Sequence, residues 1–184
     1  MSSTLIRLGH PALRFPADPV EVDRLRAGDL EDVVIALSSL LEESAAEALT
    51  APQIGVELQM MAVRRPLLGL SPANSGVSIV VNPMLLPEHG DLVYDWEGCL
   101  SIPDLKGLVP RYQSVRLRGL DHAGEALSLE VSGRAARILQ HAHDHLSGVV
   151  FLDRMGDLRS LAFGDEWREF LAEETDAGDP DIAP

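Results

Sequence analysis

ILQHAHDHLSG, residues 138–148, is the stretch on which the reading of this chain turns. His141 and His145 are four residues apart. On a helix about 100° per residue leaves them roughly 40° apart, on one face and able to share a metal ion. Hydrolytic sites of this kind place a glutamate base directly after the first histidine; here that position is Ala142. Extended backwards, SGRAARILQHAHDHLSG reads as one helix with Ser132 as its cap and Gly148 as its stop. Two imidazoles leave a catalytic metal in want of a third protein ligand. WEGCLSIP offers Cys99, and Gly98 and Pro103 around it read as a loop held close to a partner. On spacing alone, a polar surface pair of histidines and a cysteine buried as core filler are the commoner readings.

Outward from this helix the hydrophobic period changes several times. DLEDVVIALSSLLEESA carries Leu30, Val33, Val34, Leu37, Leu40 and Leu41 at helical spacing, which predicts an amphipathic helix capped by Asp29. LQMMAV, VSIVVNPMLL, SVRLRGL and ALSLEVS read as strands, the last two joined through DHAGE, whose Gly124 suits a hairpin turn. DLRSLAFGDEWREFLAEE predicts a last helix opened by Asp157. Strands between helices without regular alternation imply an α+β fold, helices on antiparallel sheet. Residues 1–170 read as one domain, and residues 171–184 as an acidic, disordered tail with no periodicity.

Composition narrows the function classes. The formal charge of -14 disfavours nucleic acid as a ligand, since phosphate contacts need clustered Lys and Arg. No stretch approaches the roughly 18 apolar residues of a membrane span, and MSSTLIRLGHPALR lacks a signal-peptide pattern, which places the protein in the cytoplasm. A single cysteine allows no internal disulfide and suits a reducing compartment.

Three motifs together resemble a known family. EALTAPQIGV, EGCLS and QHAHDH, in this order and at these separations, are similar to the signature motifs of peptide deformylases, GxGLAAPQ, EGCLS and QHExDH. The similarity runs from LIRLGHPALRFPADPV through Asn82-Pro83 and Val109 to Arg111, and on to GVVFLDRM after the histidines. The resemblance implies a deformylase-like fold, antiparallel sheets packed around a central metal-binding helix. It implies that Cys99, His141 and His145 hold one divalent ion, typically Fe2+, with Zn2+, Ni2+ or Co2+ able to substitute. It implies removal of N-formyl groups from nascent peptides. By the same resemblance the side-chain amide of Gln53 and the backbone N–H of Leu100 form an oxyanion hole. Asp144, about 60° to the other side of His141 and so no third ligand, pairs with Arg111. Glu97 stands beside the pocket entrance or is an exposed loop carboxylate. Glu47, Ala48, Gly98 and Arg134 fall where the family binds substrate.

The chain also departs from that family. The catalytic glutamate matches Ala142, which has no proton to move, and general acid–base catalysis is typically worth about 10² to 10⁴ in rate. His143 offers no replacement, since it points about 200° away from His141. The first motif's glycines match Ala46 and Ala48, and its first alanine matches Thr50. Glu47 and Arg134 stand where apolar residues usually line the side-chain pocket, so a polar or charged first residue is expected to replace methionine. Three functions compete: a metalloamidase on N-formyl substrates, impaired or altered at Ala142; a non-catalytic pseudoenzyme that binds metal and formylated or other chain ends; and a structural metal-binding interaction protein. Gln53 and Leu100 disfavour the third, because a structural site has no use for oxyanion donors. From Asp165 onward eight acidic residues face one basic residue, Arg168, so no docking on ribosomal RNA through the C-terminus is expected.

Overall fold

Two antiparallel sheets flank a long helix in the computed structural model, which describes residues 4–71, 76–88, 90 and 92–172. The strands are β1 (Ala48–Thr50), β2 (Met60–Arg64), β3 (Val77–Pro87), β4 (Leu92–Cys99), β5 (Ile102–Tyr112), β6 (Ser114–Leu120), β7 (Ala126–Ser132) and β8 (Ala162–Phe163). One sheet has the order β1-β2-β3-β6-β7 and the other β4-β5-β8. The longer helices are α1 (Val22–Arg26), α2 (Glu31–Glu43) and α3 (Gly133–Leu146), the last carrying both candidate histidines. This is the expected α+β architecture, the fold of the deformylase-like resemblance. No helix among the described residues is long and apolar enough to cross a membrane.

Around β2 the five-stranded sheet is buried on both faces, and its sequence shows why. Along β2 the side chains alternate between two cores: Met60 and Ala62 pack with Leu37 and Leu41 of α2, while Met61 and Val63 pack with Ala136, Leu139 and Ala142 of α3. Burial of each such Leu or Met contributes roughly 1.5–3 kcal/mol. Two-sided burial explains why MMAVR is continuous rather than alternating in apolar character. A third core, built on Ile102, Val109, Val150 and Phe151, fixes the three-stranded sheet beside α3. In β3 a register shift between Val81 and Met84 coincides with Asn82 at φ 47°. The Asn82 side chain holds that bend by bonding both backbone groups of Val20 at 2.8 Å.

Several sequence expectations need correction. WEGCLSIP is not a loop: Cys99 ends β4, a tight turn follows, and Ile102 opens β5. The last helix is broken. Asp157 does cap, accepting from the Arg159 N–H, but it caps a short 3-10 turn, Leu158–Ser160, followed by β8 and a helical turn over Gly164–Leu171. Asp29 does not cap α2, whose first residue is Glu31, and Ser132 flanks α3 without a side-chain cap bond. Gly148 at φ 72° and Gly124 at φ 79° end α3 and turn the β6–β7 hairpin as expected. The tail, apart from residues 171–172, lies outside the described residues.

Candidate metal centre

Cys99 reaches the histidines through an irregularity of β4. Its pairing with β5 slips between Glu97 and Cys99, re-aiming the last side chain of the strand. Cys99 Sγ then lies 3.2 Å from His145 Nε2, and one ligand atom from each of Cys99, His141 and His145 falls within 4.8 Å of the others. The orientation of His141 is set from outside the trio. His141 Nδ1 meets Glu97 Oε2 at 2.9 Å, leaving Nε2 for the centre. His145 Nδ1 is buried without a partner among the described residues, while its Nε2 faces Cys99. Burial pushes the Cys99 thiol up, yet hydrogen bonds and charge from His141 and His145 outweigh it and bring it down to about 5. Burial likewise pulls His141 down, and Cys99 and Glu97 together push it up to about 9. The trio therefore favours a thiolate beside an imidazolium, a donor set in which a divalent cation can take the place of the proton. One sulfur and two nitrogens fit such an ion in a catalytic geometry.

Behind the trio is a buried charge network. Glu97, 6% exposed, accepts from Arg111 Nε at 2.8 Å, Arg111 Nη2 at 3.0 Å and Arg137 Nη1 at 2.9 Å, besides His141. Burial raises its pKa, but bonds from Arg111 and His141 prevail and hold it at about 2. It is a buried strand residue, not an exposed loop carboxylate. Asp144 accepts from Arg111 at 2.5 Å, as the resemblance implied, and from Arg154 at 2.7 Å. Sequence reasoning passed over Arg137. Its guanidinium also donates to the carbonyls of Val93 at 2.6 Å and Val109 at 2.8 Å, tying β4 and β5 to α3. A signal existed: Arg137, His141 and His145 follow one another at intervals of four, on one helical stripe. His143 is half-buried and shares a hydrogen bond with the Pro83 backbone; burial keeps its pKa below the ordinary value.

Cys99 and His141 open on a cleft of about 980 Å³ along α3, with His145 buried behind them. Gln53 forms part of its floor. Thr50 and Gln53 make a capping box, in which Gln53 Oε1 accepts from the Thr50 N–H at 3.0 Å. That bond turns Nε2 toward the centre, where it donates to Ser101 Oγ at 3.2 Å and lies 3.8 Å from Cys99 Sγ. The N-terminal segment braces both turns, Ile6 N–H donating to the Gln53 carbonyl and Leu8 N–H to that of Ser101. Leu100, in the turn after Cys99, is 40% exposed and lines the cleft, with Gly98 and Ala48. Gly98 is confined: a Cβ there would meet Lys106 Nζ at 3.0 Å and the Leu105 carbonyl at 3.2 Å. Ala142 is 3% exposed and lines the cleft beside His141. Glu47 and Arg134, also in the wall, form an ion pair with each other. On the opposite side Trp167 packs on Trp96 with centroids 6.2 Å apart, under the Lys106 ammonium.

Comparison with known proteins gives a consistent result. The family model for polypeptide deformylase matches residues 2–160. Peptide deformylase 1 of Nitrosomonas europaea is 36% identical over 167 residues, covering 90% of this chain and 94% of that protein. The human mitochondrial peptide deformylase is 35% identical over 166 residues, covering 83% of this chain and 68% of its own length. Among solved structures, a Met-Ala-Ser-bound class I type b peptide deformylase from Acinetobacter baumannii superposes with TM-score 0.74 at 30% identity, covering 84% of this chain and all of the other.

Proposed function

This chain belongs to the polypeptide deformylase family, and from that premise we propose that it is a cytoplasmic metal-dependent amidase for N-formyl groups, its catalysis weakened at Ala142. The observation that carries the reading is the convergence of Cys99, His141 and His145 within 4.8 Å beside a cleft that Cys99, His141 and the Gln53 amide line. Residues 1–170 serve as one catalytic unit in this reading, and the ion is Fe2+, with Zn2+, Ni2+ or Co2+ as substitutes. Bound to this donor set, a divalent cation supplies Lewis acidity and lowers the pKa of water toward about 7.

The chain's own residues do the rest. Gln53 Nε2, oriented through Thr50, and the Leu100 backbone N–H are the donors for a developing oxyanion. Glu97 holds His141 in one tautomer, and Arg111 and Arg137 hold Glu97. The carboxylate beside His141, Glu97, is held by Arg111 and Arg137, and Ala142 offers none to carry a proton to the leaving amine. Ala142 also supports a second reading, a protein that binds formylated chain ends without turning them over. One experiment separates the two. Metal-loaded protein and its Ala142→Glu variant are compared in hydrolysis of formyl-Met-Ala-Ser: slow turnover rising in the variant by about 10² to 10⁴ supports the amidase. Binding without turnover in the unaltered chain favours the second reading, and no activity in either form removes the first.

A further inference from the structure

The cleft wall away from the metal trio carries charge where a deep pocket would ordinarily be apolar. Arg134, Arg137, Ile138, His141 and Ala142 all line the cleft from α3. Arg134 and Arg137 thus share the face of the ligand histidines, on the turns nearer the N-terminus of α3. The two arginines differ in availability. Arg137 is 9% exposed, and its guanidinium is committed to Glu97 and to backbone carbonyls. Arg134 is 79% exposed at its side chain and is bonded to Glu47 alone among the described residues, while Glu47 keeps 28% of its side chain open. The exposed Asp95 carboxylate also lines the cleft, but it stands 3.7 Å from Arg137 Nε; around Arg134 the reachable groups are one carboxylate and one guanidinium, side by side and together neutral.

Seven residues separate Arg134 from His141, about 10 Å along the helix axis. A group bonded to an amide that reacts at the trio spans that distance when its side chain has about six bonds from the formyl carbon to its end and finishes in a hydrogen bond of about 2.9 Å. Methionine has the length but nothing to offer the pair, and would strip water from both charges without replacing it. A side chain of net charge would satisfy one partner and confront the other. A primary amide matches both, its NH2 donating to Glu47 and its oxygen accepting from Arg134.

Building on the amidase reading above, we infer that Glu47 and Arg134 select N-formylated substrates whose first side chain is a long, uncharged carboxamide of glutamine type. Glutamine and methionine have nearly the same length, so their comparison isolates polarity. Binding of formyl-Gln-Ala-Ser and formyl-Met-Ala-Ser to the zinc-loaded full chain is measured by titration calorimetry. The same pair is measured for Arg134→Leu, at an exposed position, and for the Glu47→Leu/Arg134→Leu double variant, in which Glu47 is half-buried, with folding checked by circular dichroism. The expected result is glutamine tighter by about tenfold in the unaltered chain and a reversed order in the double variant. Equal affinities, a methionine preference, tighter binding of formyl-Lys or formyl-Glu peptides, or a glutamine preference unmoved by the variants would each overturn the inference while leaving the amidase reading standing. Failure of every formyl peptide to bind the folded, zinc-loaded chain would remove both.

Discussion

Ala142 sits between two environments, packed with the α3 core on one side and open to the cleft on the other, and that position sets the balance for any larger side chain there. A glutamate at 142 gains the proton-relay function but brings a carboxylate against Met61 and Leu139, so the Ala142→Glu variant is expected to be faster and less stable by about 1–3 kcal/mol, read from its denaturation midpoint. Glu97 works in the opposite sense. Its removal leaves Arg111 and Arg137 buried with one carboxylate fewer, so Glu97→Ala should cost about 3–5 kcal/mol in unfolding free energy. It should also weaken metal binding about 10- to 100-fold, since His141 loses the group that orients it; unchanged zinc affinity by competition with a chelator would contradict this. The trio was legible from spacing and motif because ligand chemistry restricts which residues can stand there. Arg137 had only its place on the histidine stripe to mark it, because what justifies a buried arginine there, Glu97 and the carbonyls of Val93 and Val109, is brought to it by tertiary folding.

Among the elements, the β6–β7 hairpin was readable residue by residue, since alternation and Gly124 point the same way. β4 and β5 were hidden by their own composition. β5 contains Pro103, Gly107 and Pro110, which ordinarily break strands, and most of β4 is exposed on its outer half. Pro110 is tolerated because β8 pairs only at Leu105 and Lys106, leaving β5 an open edge farther along. At Gly107 a Cβ would meet Met155 Sδ at 2.5 Å and Phe151 Cε2 at 3.1 Å, so a side chain there asks the Met155 end to shift. The end of α3 is constrained more severely. Gly148 combines φ 72° with a Cβ position 2.7 Å from the Arg14 carbonyl, so both strain and collision oppose a side chain. Gly148→Ala is expected to lose about 1–3 kcal/mol, with a lowered urea midpoint at unchanged slope. A wild-type midpoint would mean that the Arg14 segment moves away freely.

Across the whole molecule, the metal trio joins parts that sequence places far apart. Cys99 belongs to the three-stranded sheet and the histidines to the helix packed on the five-stranded one, so a bound ion cross-links the two sheets. Ligand present at about 100 times its dissociation constant adds about 2.7 kcal/mol, and for a chain of this size chelation should lower the melting temperature by about 5–10 °C, with recovery on adding zinc. Cys99→Ser should be insensitive to both treatments. The acidic C-terminus acts at the same scale: ribosomes sedimented at about 0.1 M salt should carry none of this protein down, with or without residues 165–184, and tail-dependent pelleting would refute the charge argument. The wall opposite α3 has a further consequence. The chain has two tryptophans, Trp96 in that wall and Trp167 packed against it, tilted 55° to one another. All indole absorption and emission thus originates from one coupled pair spanning β4 and the C-terminal turn, under a lysine ammonium. The protein carries an intrinsic optical reporter of whether that turn is seated, readable in its ultraviolet emission and near-ultraviolet dichroism without any label.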